Sequence, residues 1–88
     1  MEFDWGASDV RHIARHGVVP EEAEEAILID PLEADVQSHA DEARVLCFGR
    51  TKSGRLLTIL YTQRRGKIRI VTAHEMTKPQ QQMYFEGK

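Results

Sequence analysis

The stretch from Arg44 to Ala73, RVLCFGRTKSGRLLTILYTQRRGKIRIVTA, sets what this chain can fold into. It holds three runs of aliphatic, aromatic and β-branched residues. Two short glycine-bearing breaks, Lys52-Ser53-Gly54 and Arg65-Gly66, separate them. Such runs with turn residues between them predict a three-stranded antiparallel meander. Leu56 to Tyr61 is apolar at both parities, which suits a strand with neighbours on each side. If the first loop has three residues and the second two, Arg50 lies opposite Leu56 and Thr62 opposite Arg69; a one-residue change in the first loop moves Arg50 to the other face. Alternation then gives Arg50, Thr58, Thr62, Lys67 and Arg69 one face of the sheet. Val45, Cys47, Leu57, Ile59, Tyr61, Ile68 and Ile70 take the other, which needs a cover.

The flanking segments supply that cover. In GASDVRHIARHG, Ala7, Val10, Ile13 and Ala14 recur at helical spacing and Gly17 is a stop. PEEAEEAIL opens on Pro20 as a first helical residue, with acids in its first turn and Ala23, Ala26 and Ile27 on one side. MEFDW reads as an edge strand and LEADVQS as a further strand. The ADEA stretch around Asp41 reads as a polar connection. Thr77 caps a last short helix, with Gln80 at the capping-box spacing; Met76 and Met83–Phe85 would staple it to the sheet. The expected architecture is a single α+β domain over residues 1–88. It has two N-terminal helices, an antiparallel sheet made of the meander plus one or two edge strands, and a short C-terminal helix.

Charge divides along the chain. Residues 1–43 hold 12 acids and 2 bases, a balance of −10; residues 44–88 hold 2 acids and 10 bases, a balance of +8. Such asymmetry points to a nucleic-acid or acidic partner for the basic half, or to two halves that neutralise each other within one fold. No apolar run approaches the ~18 residues of a membrane span. The acidic N-terminus does not read as a signal or transit peptide. Cys47 is the only cysteine, so no intramolecular disulfide forms, which fits a reducing cytoplasm; it reads as a small buried strand residue.

Arginines and lysines gathered on one sheet face suit a phosphate, through the bidentate guanidinium and the ammonium point charge. They equally suit solvent or an acidic protein surface. His74 and Glu75 follow the last run, and an imidazole can transfer protons at neutral pH. His12 and His16 share a helix face at i, i+4 spacing, but no third metal ligand accompanies them. Arg11 and Arg15 have the same spacing and can pair with Asp9 or with acids of the second helix. No glycine-rich phosphate loop, CxxC pair or serine nucleophile motif occurs.

Taken in order, FDW, RHG (Arg15–Gly17), EEA (Glu21–Ala23), DP (Asp30-Pro31), GRT (Gly49–Thr51), GRLL (Gly54–Leu57), YT (Tyr61-Thr62), IRI (Ile68–Ile70), Ala73 and Tyr84 resemble the BrnT family of toxins from bacterial type II toxin–antitoxin systems. The resemblance spans nearly the whole chain. It implies a RelE-like fold and a metal-independent, growth-arresting ribonuclease that needs no cofactor. It also implies a ribbon-helix-helix antitoxin, through which larger assemblies form. On that reading Arg50 and Arg69 neutralise the scissile phosphate and His74 transfers protons, with Glu75 as orienter or alternative base. Lys52, Arg64, Arg65 and Lys67 steer and hold RNA. The chain departs from the family where a basic pair is usual and His74-Glu75 stands. It departs again where an arginine-rich last helix is usual and Gln80–Gln82 stands, and where a serine cap is usual and Val19-Pro20 stands. Fewer charges at the last helix leave a second reading, a weakly active or inactive binding protein that holds an acidic partner on its basic face.

Overall fold

A computed structural model describes residues 1–88 as an α+β fold. Its elements are β1 (Glu2–Phe3), α1 (Ala7–Ala14), α2 (Pro20–Leu28), β2 (Leu32–His39), β3 (Glu42–Arg50), β4 (Leu56–Arg64), β5 (Lys67–Glu75) and α3 (Lys78–Glu86). The sheet order is β1-β5-β4-β3-β2, so β4 is its central strand, as its two-sided apolar pattern requires. No helix is long and apolar enough to cross a membrane.

Two expectations about the sheet are corrected. It is mixed rather than antiparallel, because β1 pairs parallel with β5 through Glu2–Lys67 and Phe3–Ile68. The meander has four strands rather than three. Ala40 and Asp41 take positive φ of 48° and 64°, the geometry of a two-residue hairpin turn, and fold β2 directly onto β3. The segment around Asp41 is therefore a hairpin tip. The other two hairpins keep the expected register. Arg50 pairs with Leu56, and Thr62 with Arg69. Arg65 and Gly66, at φ of 53° and 78°, form the two-residue turn between β4 and β5.

One face of the sheet is closed by α1 and α2. Ile13, Val18, Ala23, Ala26 and Ile27 pack on Leu57, Ile59, Ile68, Ile70 and Ala73, with Phe3 and Trp5 at the margin. Ala14, expected on this side, is exposed; the buried side of α1 is carried by Ile13, with Val10 partly covered. Gly17, at φ 70°, ends the α1 segment, and Val18 then turns into the core. Pro20 starts α2, while Glu22 accepts the Val19 backbone N–H at 3.2 Å. The helix rests directly on β3: a Cβ on Gly49 would lie 1.7 Å from the Ala26 carbonyl oxygen. Only a residue without a side chain fits there.

The other face is half covered. Helix α3 closes it over Phe48 with Met76 and Tyr84, flanked by Leu32, Leu46 and Leu56. Tyr84 is the anchor, its hydroxyl donating to the Asp30 carbonyl at 2.7 Å, whereas Met83 and Phe85 point outward and are 52% and 60% exposed. The Thr77 cap forms as expected: its Oγ1 accepts from the Gln80 N–H, and Gln80 Oε1 accepts from the Thr77 N–H. Beyond α3 this face is ionic.

Candidate functional site

The ionic half begins where the backbone departs from regular pairing. Along β5, Thr72 pairs with Leu60 but Ile70 pairs with Tyr61, which leaves Val71 as an extra, bulged residue. In a regular strand Arg69 and His74, five residues apart, would point to opposite faces. The bulge restores their parity. Arg69 lies opposite Thr62 and His74 opposite Thr58, and Thr58 and Thr62 share a face. The same alternation separates His74 from its neighbour. Both are the last residues of β5 rather than followers of it, so Glu75 stands opposite Leu57 on the helix-covered side.

Beyond the two residues of β1, α1 packs beside β5. Asp9 and His12 of α1 and His16 in the turn just after it are spaced by three and four and lie along one side. Asp9 accepts from the Arg69 guanidinium at 3.3 Å. The His16 ring lies 5.9 Å from that of His12 and 6.1 Å from that of His74, each pair edge to face. His74 Nδ1 is 2.7 Å from the Glu75 carbonyl oxygen. A carbonyl only accepts, so Nδ1 carries the hydrogen, and in the neutral ring Nε2 holds a free lone pair. Beside this ridge, Thr58 donates from Oγ1 to Gln80 Oε1 at 2.9 Å, which ties α3 to the same row of the sheet.

Next to Arg69, the β4–β5 hairpin carries Arg64, Arg65 and Lys67. With Asp4 they line a groove of about 560 Å³. A larger groove of about 650 Å³ lies across Glu33, Ala43, Val45, Tyr61 and Gln63. Its one cation, Arg64, stands among three carboxylates, Glu33, Asp41 and Glu42, whereas the hairpin groove has three cations and one carboxylate. The hairpin groove is therefore the better anion site. Glu42 bridges Arg64 at 2.9 Å and Arg44 at 3.3 Å. The Arg64 hydrogen bond, more than Arg44, holds its carboxyl below the usual glutamate value, against the opposing pull of partial burial. Thr62, between Arg44 and Arg69 in the register, is buried and donates to the Ala43 carbonyl at 2.8 Å.

The residues singled out in the sequence do not all meet. Arg50 is opposite Leu56 and Arg69 opposite Thr62, six positions along β4. That is about 20 Å at ~3.3 Å per residue, so the two cannot clamp one phosphate. Arg50 instead sits near Asp30 and Tyr84. Asp30 is held below its usual value first by the Lys88 hydrogen bond, with smaller help from the Arg50 charge. Lys52 lies at the β3–β4 turn, where its backbone N–H donates to Glu25 Oε1 at 3.0 Å. Glu75 pairs with Arg55 at 3.4 Å; Arg55 also holds Glu22 at 2.9 Å and the Gly17 carbonyl at 2.7 Å. Arg64, Arg65, Lys67 and Arg69 do cluster.

Six of the seven ion pairs join the acidic half of the chain to the basic half, so much of the charge division is settled inside the fold. Arg65 has no such partner. Cys47 is buried in β3, and burial pushes its thiol up to about 11, which leaves it an inert core residue. No group of three or more histidine, cysteine or carboxylate side chains is arranged to hold a metal ion. In the sequence His12 and His16 are legible only as one helix face, and Asp9 only as a partner for Arg11 and Arg15. Their relation to β5 depends on how α1 packs against that strand.

A family model described as ribonuclease toxin, BrnT, of type II toxin–antitoxin system matches residues 5–79. No curated protein matches the chain.

Proposed function

From the premise that the chain belongs to the BrnT family of ribonuclease toxins of type II toxin–antitoxin systems, we propose that it cleaves RNA on the ridge between α1 and β5. The observation that carries this reading is the bulge at Val71, which gives Arg69 and His74 one face. RNA lies along β5. The hairpin cations Arg64, Arg65 and Lys67 hold the backbone, and Arg69, oriented by Asp9, binds a phosphate next to the scissile one. His74 is the proton-transfer group, because its Nε2 is free while Nδ1 is tethered. Neither Arg50 nor Glu75 is assigned to the reacting phosphate. The reaction needs no metal ion, and the fold is of the RelE-like kind. The protein arrests growth in the cytoplasm until a ribbon-helix-helix antitoxin covers the basic hairpin and assembles with it.

A second reading has its own support. Arg44, Arg64, Lys67 and Arg69 each have a carboxylate partner, and α3 carries Gln80–Gln82, two of them partly buried and hydrogen-bonded, where the family resemblance leads one to expect arginines. Those features favour a protein that mainly binds an antitoxin and cleaves weakly or not at all. One experiment separates the two. The chain is induced in bacteria while growth and RNA integrity are followed, and purified protein is incubated with RNA in chelator. Arrest with RNA fragmentation is expected. Normal growth with intact RNA, alongside tight antitoxin binding, would establish the second reading instead.

A further inference from the structure

We propose that His16 is a second catalytic residue, the general acid that works with His74 as general base. The inference rests on the ribonuclease reading and deepens it. Cleavage of RNA at its own 2′-hydroxyl without a metal needs two proton-transfer groups, one on each side of the phosphorus. Glu75 is the neighbour of His74 in sequence, but it stands on the opposite face and is bound by Arg55. The titratable ring that does face His74 is His16, 6.1 Å away between centroids and inclined at 63°. That spacing lets one phosphodiester touch both rings.

The environment distinguishes their roles. His74 presents a bare Nε2, the acceptor a base requires. His16 follows the last turn of α1, its backbone N–H still bonded to Ile13 O at 3.0 Å. The His16 ring has no hydrogen-bond partner, so either of its nitrogens can present an N–H to the leaving oxygen. Around the pair lie His12 on α1 and, beside Gly17, Arg55 with its carboxylate partners Glu22 and Glu75.

The step balances within the site. His74 Nε2 takes the 2′-hydroxyl proton as O2′ forms its bond to phosphorus. The P–O5′ bond breaks, and O5′ takes the proton from His16. The products are a 2′,3′-cyclic phosphate and a 5′-hydroxyl, and solvent exchange resets both rings.

The test compares wild type with His16→Ala and His16→Gln on an RNA oligonucleotide and on the same oligonucleotide with a bridging 5′-sulfur at the scissile bond. Thiolate leaves without an acid. Both variants should lose about 10²–10⁴-fold in kcat/KM on ordinary RNA, lose the fall in rate at high pH, and come within about tenfold of wild type on the sulfur substrate. Thermal unfolding of both variants verifies that they are folded. A variant that cleaves ordinary RNA like wild type, or that loses both substrates equally, overturns the role of His16 while the ribonuclease reading stands. Wild-type protein that cleaves neither substrate ends the ribonuclease reading, and the acid–base pair with it.

Discussion

The two faces of this sheet are cut from the same strands and do opposite work. The helix-covered face is a continuous aliphatic core, so tightly closed that α2 lies on the bare backbone of Gly49. Past α3, the other face carries partly exposed ion pairs such as Arg69–Asp9 and Arg64–Glu42. Burial of apolar surface stabilises a fold roughly in proportion to area, whereas half-exposed ion pairs contribute little. Most of the apolar burial therefore belongs to one face, with a smaller cluster under α3, and the proposed RNA track lies on the other. His74 and Glu75 show how narrow the border is, since adjacent residues on β5 fall on different sides of it.

Substitution of His74 tests that separation with the largest expected effect. His74→Gln should lower RNA cleavage about 10²–10⁴-fold, the usual contribution of a positioned acid or base, while the melting temperature stays within about 2 °C. Matched kinetics and melting curves check it; a large drop in melting temperature would place His74 in the stabilising set. Gly49→Ala is the opposite case. Its new methyl collides with the Ala26 carbonyl, so the variant should lose about 3 kcal/mol, at the upper end for overpacking, in urea unfolding. If Gly49→Ala unfolds at the wild-type urea concentration, α2 does not rest on β3 as described.

Arg69→Ala should act less strongly and only on the functional face. It removes one phosphate contact, so the slope of log affinity against log salt should fall by about 0.7 for single-stranded RNA. Stability should change by less than about 1 kcal/mol, because the pair with Asp9 is partly exposed. Binding measured across a salt series checks the first point and urea unfolding the second. An unchanged salt slope would move the RNA track away from β5.

Much of the stabilising face was legible in the sequence. The alternation of Leu57, Ile59, Ile68 and Ile70 marks strands and side, because a one-residue slip would expose every apolar group, while the register of the first hairpin and the face of Arg50 depend on its loop length. The functional face was less legible, for three physical reasons. A bulge has no composition of its own, so the parity change at Val71 that joins Arg69 to His74 went unseen. The apolar run ends at Ala73, so nothing local shows that β5 continues through Glu75, where alternation sends it across the sheet from His74. The line of Asp9, His12 and His16 acquires meaning only when α1 packs beside β5. The two-residue β1 was foreseen as an edge strand, but its direction depends on the path of both helices and no local pattern records it.

Glu42 and the pair Cys47 and Tyr61 should act at opposite ends of the pH scale, with the smallest effects of the set; the α3 face adds an alkaline contribution of its own through Tyr84, raised chiefly by burial. Glu42, on the ionic face, has a folded value below the ordinary 4.5, chiefly through Arg64. Its contribution is therefore complete above pH 4.5 and is lost as pH falls through the lower folded value. On the other face burial raises Cys47 from 9.0 to about 11, and burial with the nearby Glu33 carboxylate raises Tyr61 from 10.0 to about 12. Unfolding lets both ionise sooner, so their contribution is complete below pH 9 and is lost as pH rises towards 11 and 12. Urea unfolding at a series of pH values reads both limbs. Glu42→Gln should flatten the acid limb and leave the alkaline one alone, and Cys47→Ala should do the reverse. A variant that flattens the limb assigned to the other face would mean that the two sides of the sheet are coupled more closely than their separate packing implies.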